Sequence, residues 1–211
     1  MVFHVPMAAR LRRAEQVERN RELVIAAALR VFLARGYAGA TLEAIAEEAG
    51  FSKGIVYSQF DSKDDLFVTL LERRIAERAA QNERAVETLA GAPAVRALLR
   101  AAETDARADA GWIGVLVEFR AVAARDPELN GRYAAAHAMT IERLAGLLER
   151  IHARAGAVPA FPPRAIAELI LALGAGVALE RAANPRALPL HTVEKMLVLA
   201  LGLAEKEEVP R

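Results

Sequence analysis

Apolar residues recur at helical spacing along nearly the whole chain, and no stretch keeps the strict alternation of a half-buried strand, so the pattern predicts an all-α fold of about nine helices. The first is expected from Glu15 to Arg35, with Ile25, Ala28, Leu29 and Phe32 facing inward and Gly36 ending it in a left-handed conformation. A short second helix follows from Leu42 to Ala49, where Leu42, Ile45, Ala46 and Ala49 fall at i, i+3, i+4 and i+7; Thr41 is placed to cap it and Gly50 to end it. The third runs from about Lys53 to Gln59, capped by Ser52. Ser62 opens a long fourth helix reaching towards Ala90, with Asp65 three residues on in the manner of a capping box. Gly91-Ala92-Pro93 reads as a corner, and further helices are expected at 94–108, 111–125, 127–155, 163–183 and 190–205. Three short helices followed by long ones predict two domains. Residues 1–62 form a compact N-terminal unit, with 1–14 as a flexible arm, and 63–211 form a helical C-terminal body.

Composition narrows the class. The chain has 211 residues, 54% of them apolar, few aromatics and no cysteine. Disulfides and thiolate metal sites are therefore excluded. The longest uncharged apolar run, Leu169 to Leu179, is too short for the roughly 20 residues a bilayer crossing needs. The start of the chain has no long apolar segment followed by a small-residue cleavage site. The expectation is a cytoplasmic protein with no membrane partner. His4, His137, His152 and His191 are scattered, and no nucleophile elbow, Walker loop, dinucleotide fingerprint or zinc motif occurs. Neither catalysis nor a metal or other cofactor is expected. Net charge is +1, and residues 1–63 carry nine Lys/Arg against seven Asp/Glu, so charge alone does not decide for nucleic acid.

The stretch Thr41-Leu-Glu-Ala-Ile-Ala-Glu-Glu-Ala-Gly-Phe-Ser-Lys-Gly-Ile-Val-Tyr-Ser-Gln-Phe60 is the informative one. Two short helices meet at Gly50, with Phe51 plugging the corner. Val56 and Phe60, four apart, anchor the third helix and leave Lys53, Gly54, Ile55, Tyr57, Ser58 and Gln59 on outer or flanking faces. A helix-turn-helix of this form seats its second helix in the major groove, about 12 Å wide. Gly54 and Ser58 are small enough for close approach, Lys53 and Tyr57 suit phosphate oxygens, and Gln59 suits a bidentate contact with adenine. On spacing alone, an ordinary helical hairpin fits as well.

From about Arg21 to Ile75 the chain closely resembles the TetR family of regulators. The matching residues are Ile25, Ala28, Phe32 and Arg35-Gly36-Tyr37, then Thr41, Ile45-Ala46 and Ala49-Gly50. They continue with Ser52-Lys53-Gly54, Tyr57, Phe60, Ser62-Lys63 and Leu66. The resemblance implies an all-helical homodimer in which three N-terminal helices bind double-stranded operator DNA and the rest senses a ligand and dimerises. It implies phosphate contacts from Thr41, Tyr57 and Lys63, and base or backbone contacts from Ser52, Lys53, Gly54, Ile55, Ser58 and Gln59. Ile55 stands where the family often has Thr, and Ser58 and Gln59 where large rings are frequent, so the operator sequence does not follow. Repression is the family default.

In the body, two groups stand out. Val193, Met196, Leu197, Ala200 and Leu201 form a stripe on a helix that is apolar nearly all round; Ile166, Leu169, Ile170, Leu173 and Val177 do the same on the helix before it. Both helices need covering on two sides, which predicts an isologous interface between two copies. Trp112, Leu116 and Phe119 share one face of the sixth helix, and Tyr133, His137 and Ile141 lie a turn apart on the seventh. These six are the candidate lining of a pocket for a small apolar or amphipathic effector, with core packing as the competing reading for the rings. The alternative function is a helical interaction or scaffold module that has lost operator binding.

Overall fold

A computed structural model of the chain describes residues 7–108 and 111–203. Among them are nine helices and no strand: α1 Met7–Gly39, α2 Leu42–Ala49, α3 Lys53–Tyr57, α4 Lys63–Ala85, α5 Gly91–Ala108, α6 Trp112–Ala123, α7 Pro127–Arg154, α8 Pro163–Ala183 and α9 Leu190–Ala200. The all-α expectation holds. Two compact units are present, Met1–Glu72 and Arg73–Arg211, and α4 runs through the division.

In the first unit the buried face of α1 is Val24, Ile25, Ala27, Ala28, Val31 and Phe32. The rings of Phe32, Tyr37 and Phe67 pack mutually at centroid distances of 5.0–5.8 Å, mostly edge to face, the arrangement aromatic quadrupoles favour. Gly36 interrupts the helical backbone at φ 69°, ψ 173°, a region open essentially to glycine alone. This differs from the left-handed stop expected there: the chain steps sideways, which sets Tyr37 into the core. The Tyr37 hydroxyl donates to Asp64 on α4, and burial together with that carboxylate pushes its pKa up. Helical backbone also extends back to Met7, so the arm expected over 1–14 is in its second half part of α1. Residues 1–6 lie outside the described ones.

Local capping chemistry explains most helix ends. The Thr41 side chain accepts from Ala44 N–H at 3.2 Å, and Gly50, at φ 72°, closes α2 with Phe51 N–H bonded back to Ala46 O. Ser62 Oγ accepts from Asp65 N–H at 3.0 Å; the return bond of the box reaches Asp61 N–H, one residue earlier than expected. In the second unit, Asp126 accepts from the N–H groups of Glu128 and Leu129 with Pro127 in the first helical position. The corner expected at Gly91-Ala92-Pro93 falls earlier. These residues open α5, where the missing N–H of Pro93 has no intrahelical partner to lose.

The core of the second unit gathers Val86, Ala94, Val95, Ile141, Ala145, Leu147, Leu148, Ile151, Ile166, Val193, Leu197 and Leu201. His152, 2% exposed, lies among them with its ring nitrogens 2.8 and 2.9 Å from the carbonyl oxygens of Leu148 and Leu201, tying α7 to the end of α9. Arg154 donates to Val86 O at 2.8 Å, beside the last turn of α4.

Candidate nucleic-acid interface

The geometry starts with how little holds α3. Within residues 51–60, only Val56 and Phe60 are buried; Ser52, Lys53, Gly54, Tyr57 and Ser58 are exposed, and Ile55 and Gln59 half-buried. Arg21 secures the far end, its guanidinium 4.4 Å from the Phe60 ring centroid and donating to Gln59 O at 3.0 Å. The helix is five residues long, too short to stand without these anchors. Its outer face is thus presented to solvent by a rigid support.

Gly54 is informative because the free chain gives no reason for it. Its φ is not positive, and a Cβ built there meets nothing nearer than Ser52 Oγ at 4.0 Å. Glycine inside a helix costs about 0.5–1 kcal/mol relative to alanine. Packing within the free subunit therefore does not account for glycine at this position.

Polar groups on this surface are ordered by one carboxylate. Tyr57, 49% exposed, donates its hydroxyl to Glu43 Oε1 on α2 at 2.9 Å, and Lys53 Nζ lies 3.8 Å from the same oxygen. The bond to Glu43 raises the Tyr57 pKa. The Glu43 carboxyl is lowered, first by its own backbone N–H and next by Tyr57. Ser58 donates to Ile55 O at 2.8 Å.

Three of the expected contacts sit differently from the sequence reading. Ser52 precedes α3 without a side-chain cap bond; Ile55 N–H bonds to its backbone carbonyl, which leaves the hydroxyl outside the cap. Gln59 lies in the turn after α3, and its Oε1 is buried without a partner, so this conformation does not present both ends of the amide to a base. Lys63 is half-buried, donates to Tyr37 O at 2.9 Å and stacks over the Tyr37 ring at 4.5 Å. Its remaining N–H groups are what it has to offer a phosphate. Glu43 and Arg21 were missed because each acts across helices, Glu43 on a residue 14 positions away and Arg21 on one 38 away, where periodicity carries no signal.

In the second unit the candidate effector residues divide. Phe119, Tyr133 and His137 form a ring cluster: Phe119 meets Tyr133 edge to face at 6.0 Å, and Tyr133 stacks on His137 at 5.6 Å. Arg120 lies 5.3 Å from the Tyr133 centroid, and Arg74 4.4 Å from that of Trp112. Burial, and then the Arg120 cation, lower the His137 pKa against the opposing pull of Glu168. Leu116 is half-buried, and Ile141 belongs to the bundle core. A hollow of about 480 Å³ opens elsewhere, between the end of α4 and α7, lined by Glu83, Arg84, Val86, Leu147, Arg150 and Arg154.

The expected interface stripes also divide. Ile166, Val193, Leu197 and Leu201 are buried in the subunit's own core, and Ile170, Leu173 and Val177 pack against it. That corrects the assignment of the Val193-Leu197-Leu201 stripe to a partner: it is the inward face of α9. Leu169, Met196 and Ala200 are exposed, together with Leu179 and Leu199, which the stripes omitted.

A short, outward-facing helix held by a preceding helix and a glycine turn defines the first unit as a helix-turn-helix DNA-binding domain. Comparison with known proteins agrees. Residues 24–70 match the model of bacterial regulatory proteins of the tetR family, and 91–201 that of the BetI-type transcriptional repressor C-terminal domain. The chain belongs to the TetR family of DNA-binding transcriptional regulators. It is 38% identical over 71 residues to the HTH-type transcriptional activator FasR of Mycolicibacterium smegmatis, a match covering 34% of this chain and 32% of that protein. To the repressor AcnR of Corynebacterium efficiens it is 27% identical over 114 residues, 54% of this chain and 56% of the relative. The chain thus spans about a third to a half of the length of these curated relatives. Solved structures match over most of their length. A putative TetR-family regulator from Rhodococcus sp. aligns with TM-score 0.72 and 19% identity over 89% of this chain and 100% of that one. FadR from Bacillus subtilis, solved in complex with stearoyl-CoA, aligns with TM-score 0.67 and 17% identity over 87% and 99%.

Proposed function

We propose that the protein is a homodimeric repressor that occupies operator DNA through α3 and leaves it when a small apolar or amphipathic molecule binds the second unit. The single observation that carries the reading is the surface of α3, where Lys53, Gly54, Tyr57 and Ser58 face solvent on a helix fixed by Val56 and Phe60. With Thr41 and Ser52 exposed beside it, this face supplies phosphate donors at its edges and small residues at its centre. In this reading residues 1–62 bind DNA and 63–211 form the effector and dimer body, a functional boundary at the start of α4, whereas the compact units divide within that helix, after Glu72. The protein works in the cytoplasm, where its DNA is.

Dimerisation is supported by the large apolar side chains left in water on α8 and α9: Leu169 is 55% exposed, Met196 57% and Leu199 60%. Covering them with their symmetry mates regains up to about 1.5–3 kcal/mol for each side chain that becomes fully buried. The effector class is supported by the ring cluster around Tyr133 and by the complex of the FadR relative with stearoyl-CoA. Repression rather than activation is supported by the BetI-type C-terminal match; FasR, an activator, is the counterexample among the relatives. An effector releases DNA only if it binds one dimer conformation better than the other.

The test is fluorescence anisotropy with duplexes from the DNA flanking the protein's own gene. Wild type binds one of them with affinity falling steeply as salt rises, and Lys53→Ala with Tyr57→Ala abolishes that binding without changing the melting temperature. Salt-independent binding, or an unaffected double variant, refutes the reading.

A further inference from the structure

We infer that Glu43 is a built-in competitor for the DNA backbone, a carboxylate that occupies in the free protein the place a phosphate takes in the complex. The inference rests on the operator-binding reading above. Its starting point is stoichiometry. A tyrosine hydroxyl has one proton to donate, and that of Tyr57 goes to Glu43 Oε1 at 2.9 Å. Lys53, an exposed cation at this edge, places its ammonium 3.8 Å from the same oxygen. Two groups whose chemistry suits an anionic oxygen therefore converge on one oxyanion that the protein itself provides. For Tyr57 to donate to a phosphate, the bond to Glu43 must break. Lys53, with three protons, is able to bridge the carboxylate and a phosphate, but part of its charge is already screened by the pair.

Glu43 has a second reason to sit where it does, since an acidic residue in the first turn of α2 complements the helix dipole. The dipole accounts for an acid in that turn and not for the convergence of Tyr57 and Lys53 upon it. Functionally, the competition lowers affinity for any DNA backbone by about the same factor whatever the sequence. Binding that depends on phosphates alone is weakened in absolute terms, and base contacts must carry a larger share of the remainder. The consequence is a regulator that leaves random DNA readily.

The experiment needs no knowledge of the operator. Binding of wild type, Glu43→Gln and Glu47→Gln to a random-sequence 30-base-pair duplex is measured by anisotropy across a salt series. Glu47 is an exposed acid on the same helix without a contact to Tyr57 or Lys53, so its exchange reports the bare change of charge. The expected result is that Glu43→Gln tightens binding about fivefold and Glu47→Gln less than twofold. In a Tyr57→Phe background, which lacks the contested proton, the gain from Glu43→Gln shrinks. Weaker binding by Glu43→Gln makes Glu43 a strut for Tyr57 and overturns the inference, as does a gain no larger than that of Glu47→Gln. An undiminished gain in the Tyr57→Phe background overturns it too. Wild type that binds no duplex at low salt overturns the operator reading itself, and this inference with it.

Discussion

Gly54→Ala separates folding from function at a single methyl group. In the free protein the added Cβ meets only Ser52 Oγ at 4.0 Å, an ordinary contact, and the backbone there has no positive φ to be strained. Alanine also removes the entropy penalty of glycine in a helix, about 0.5–1 kcal/mol. The variant should therefore be as stable as wild type or better, by up to about 1 kcal/mol. In a domain set of this size that is roughly 2–4 °C in melting temperature. On DNA the opposite holds. If α3 lies in the groove with its small residues at closest approach, the methyl group displaces the helix, and operator affinity falls at least about tenfold, roughly 1.4 kcal/mol. Calorimetry or thermal circular dichroism gives the first quantity and anisotropy with operator duplex the second. A variant that is more stable yet binds DNA normally refutes the claim that this glycine exists for a partner. One that is destabilised refutes the open space around it.

Further outcomes follow from the rest of the structure. Leu199→Glu, at a side chain 60% exposed in the subunit, should leave the fold intact and convert the dimer to monomer in sedimentation; a dimer that survives places the interface elsewhere. Asp126→Ala removes the acceptor of two N–H groups at the start of α7 and should cost about 1 kcal/mol in denaturant unfolding. His137 has a folded pKa lowered from 6.5, so the unfolded chain binds its proton first. Its contribution to stability is whole above pH 6.5 and lost as pH falls towards the folded value; His137→Gln should flatten the decline in melting temperature between pH 7.5 and 5.5. Trp112 is the chain's one tryptophan, and a long-chain acyl effector seated by the ring cluster should shift its emission; a saturating ligand that leaves emission unchanged binds away from Trp112.

What was legible in the sequence was local. Thr41, Gly50 and Ser62 act within a turn of themselves, and the structure realises each. The two-residue anchor of α3 was likewise visible, because Val56 and Phe60 are spaced for one face. Where two partners compete for one group, the sequence was silent. The Ser52 hydroxyl lost its capping role to the residue's own backbone carbonyl. α1 has no breaker between Met7 and Glu15 to mark a start, and Ala8, Ala9 and Leu11 favour a helix. For α9, an apolar perimeter said that two sides need covering but not which side the subunit keeps for itself; packing against α5 decided for Val193, Leu197 and Leu201. Glu43 carries no signal of its own in the sequence, because its partners Tyr57 and Lys53 lie on the next helix. The contacts that converge on it exist only once α2 and α3 are folded against each other.

The most direct test of the account uses the absence of cysteine. Ser58→Cys introduces one thiol on the exposed end of α3, to which a DNA-cleaving iron chelate is attached. If two copies of α3 enter major grooves, cleavage of operator DNA falls in two clusters, centred about 10 base pairs apart or at a related dimer spacing and offset as major-groove cutting requires. A single diffuse zone, cutting in the minor groove, or no cleavage at a site the labelled protein still binds would contradict the account.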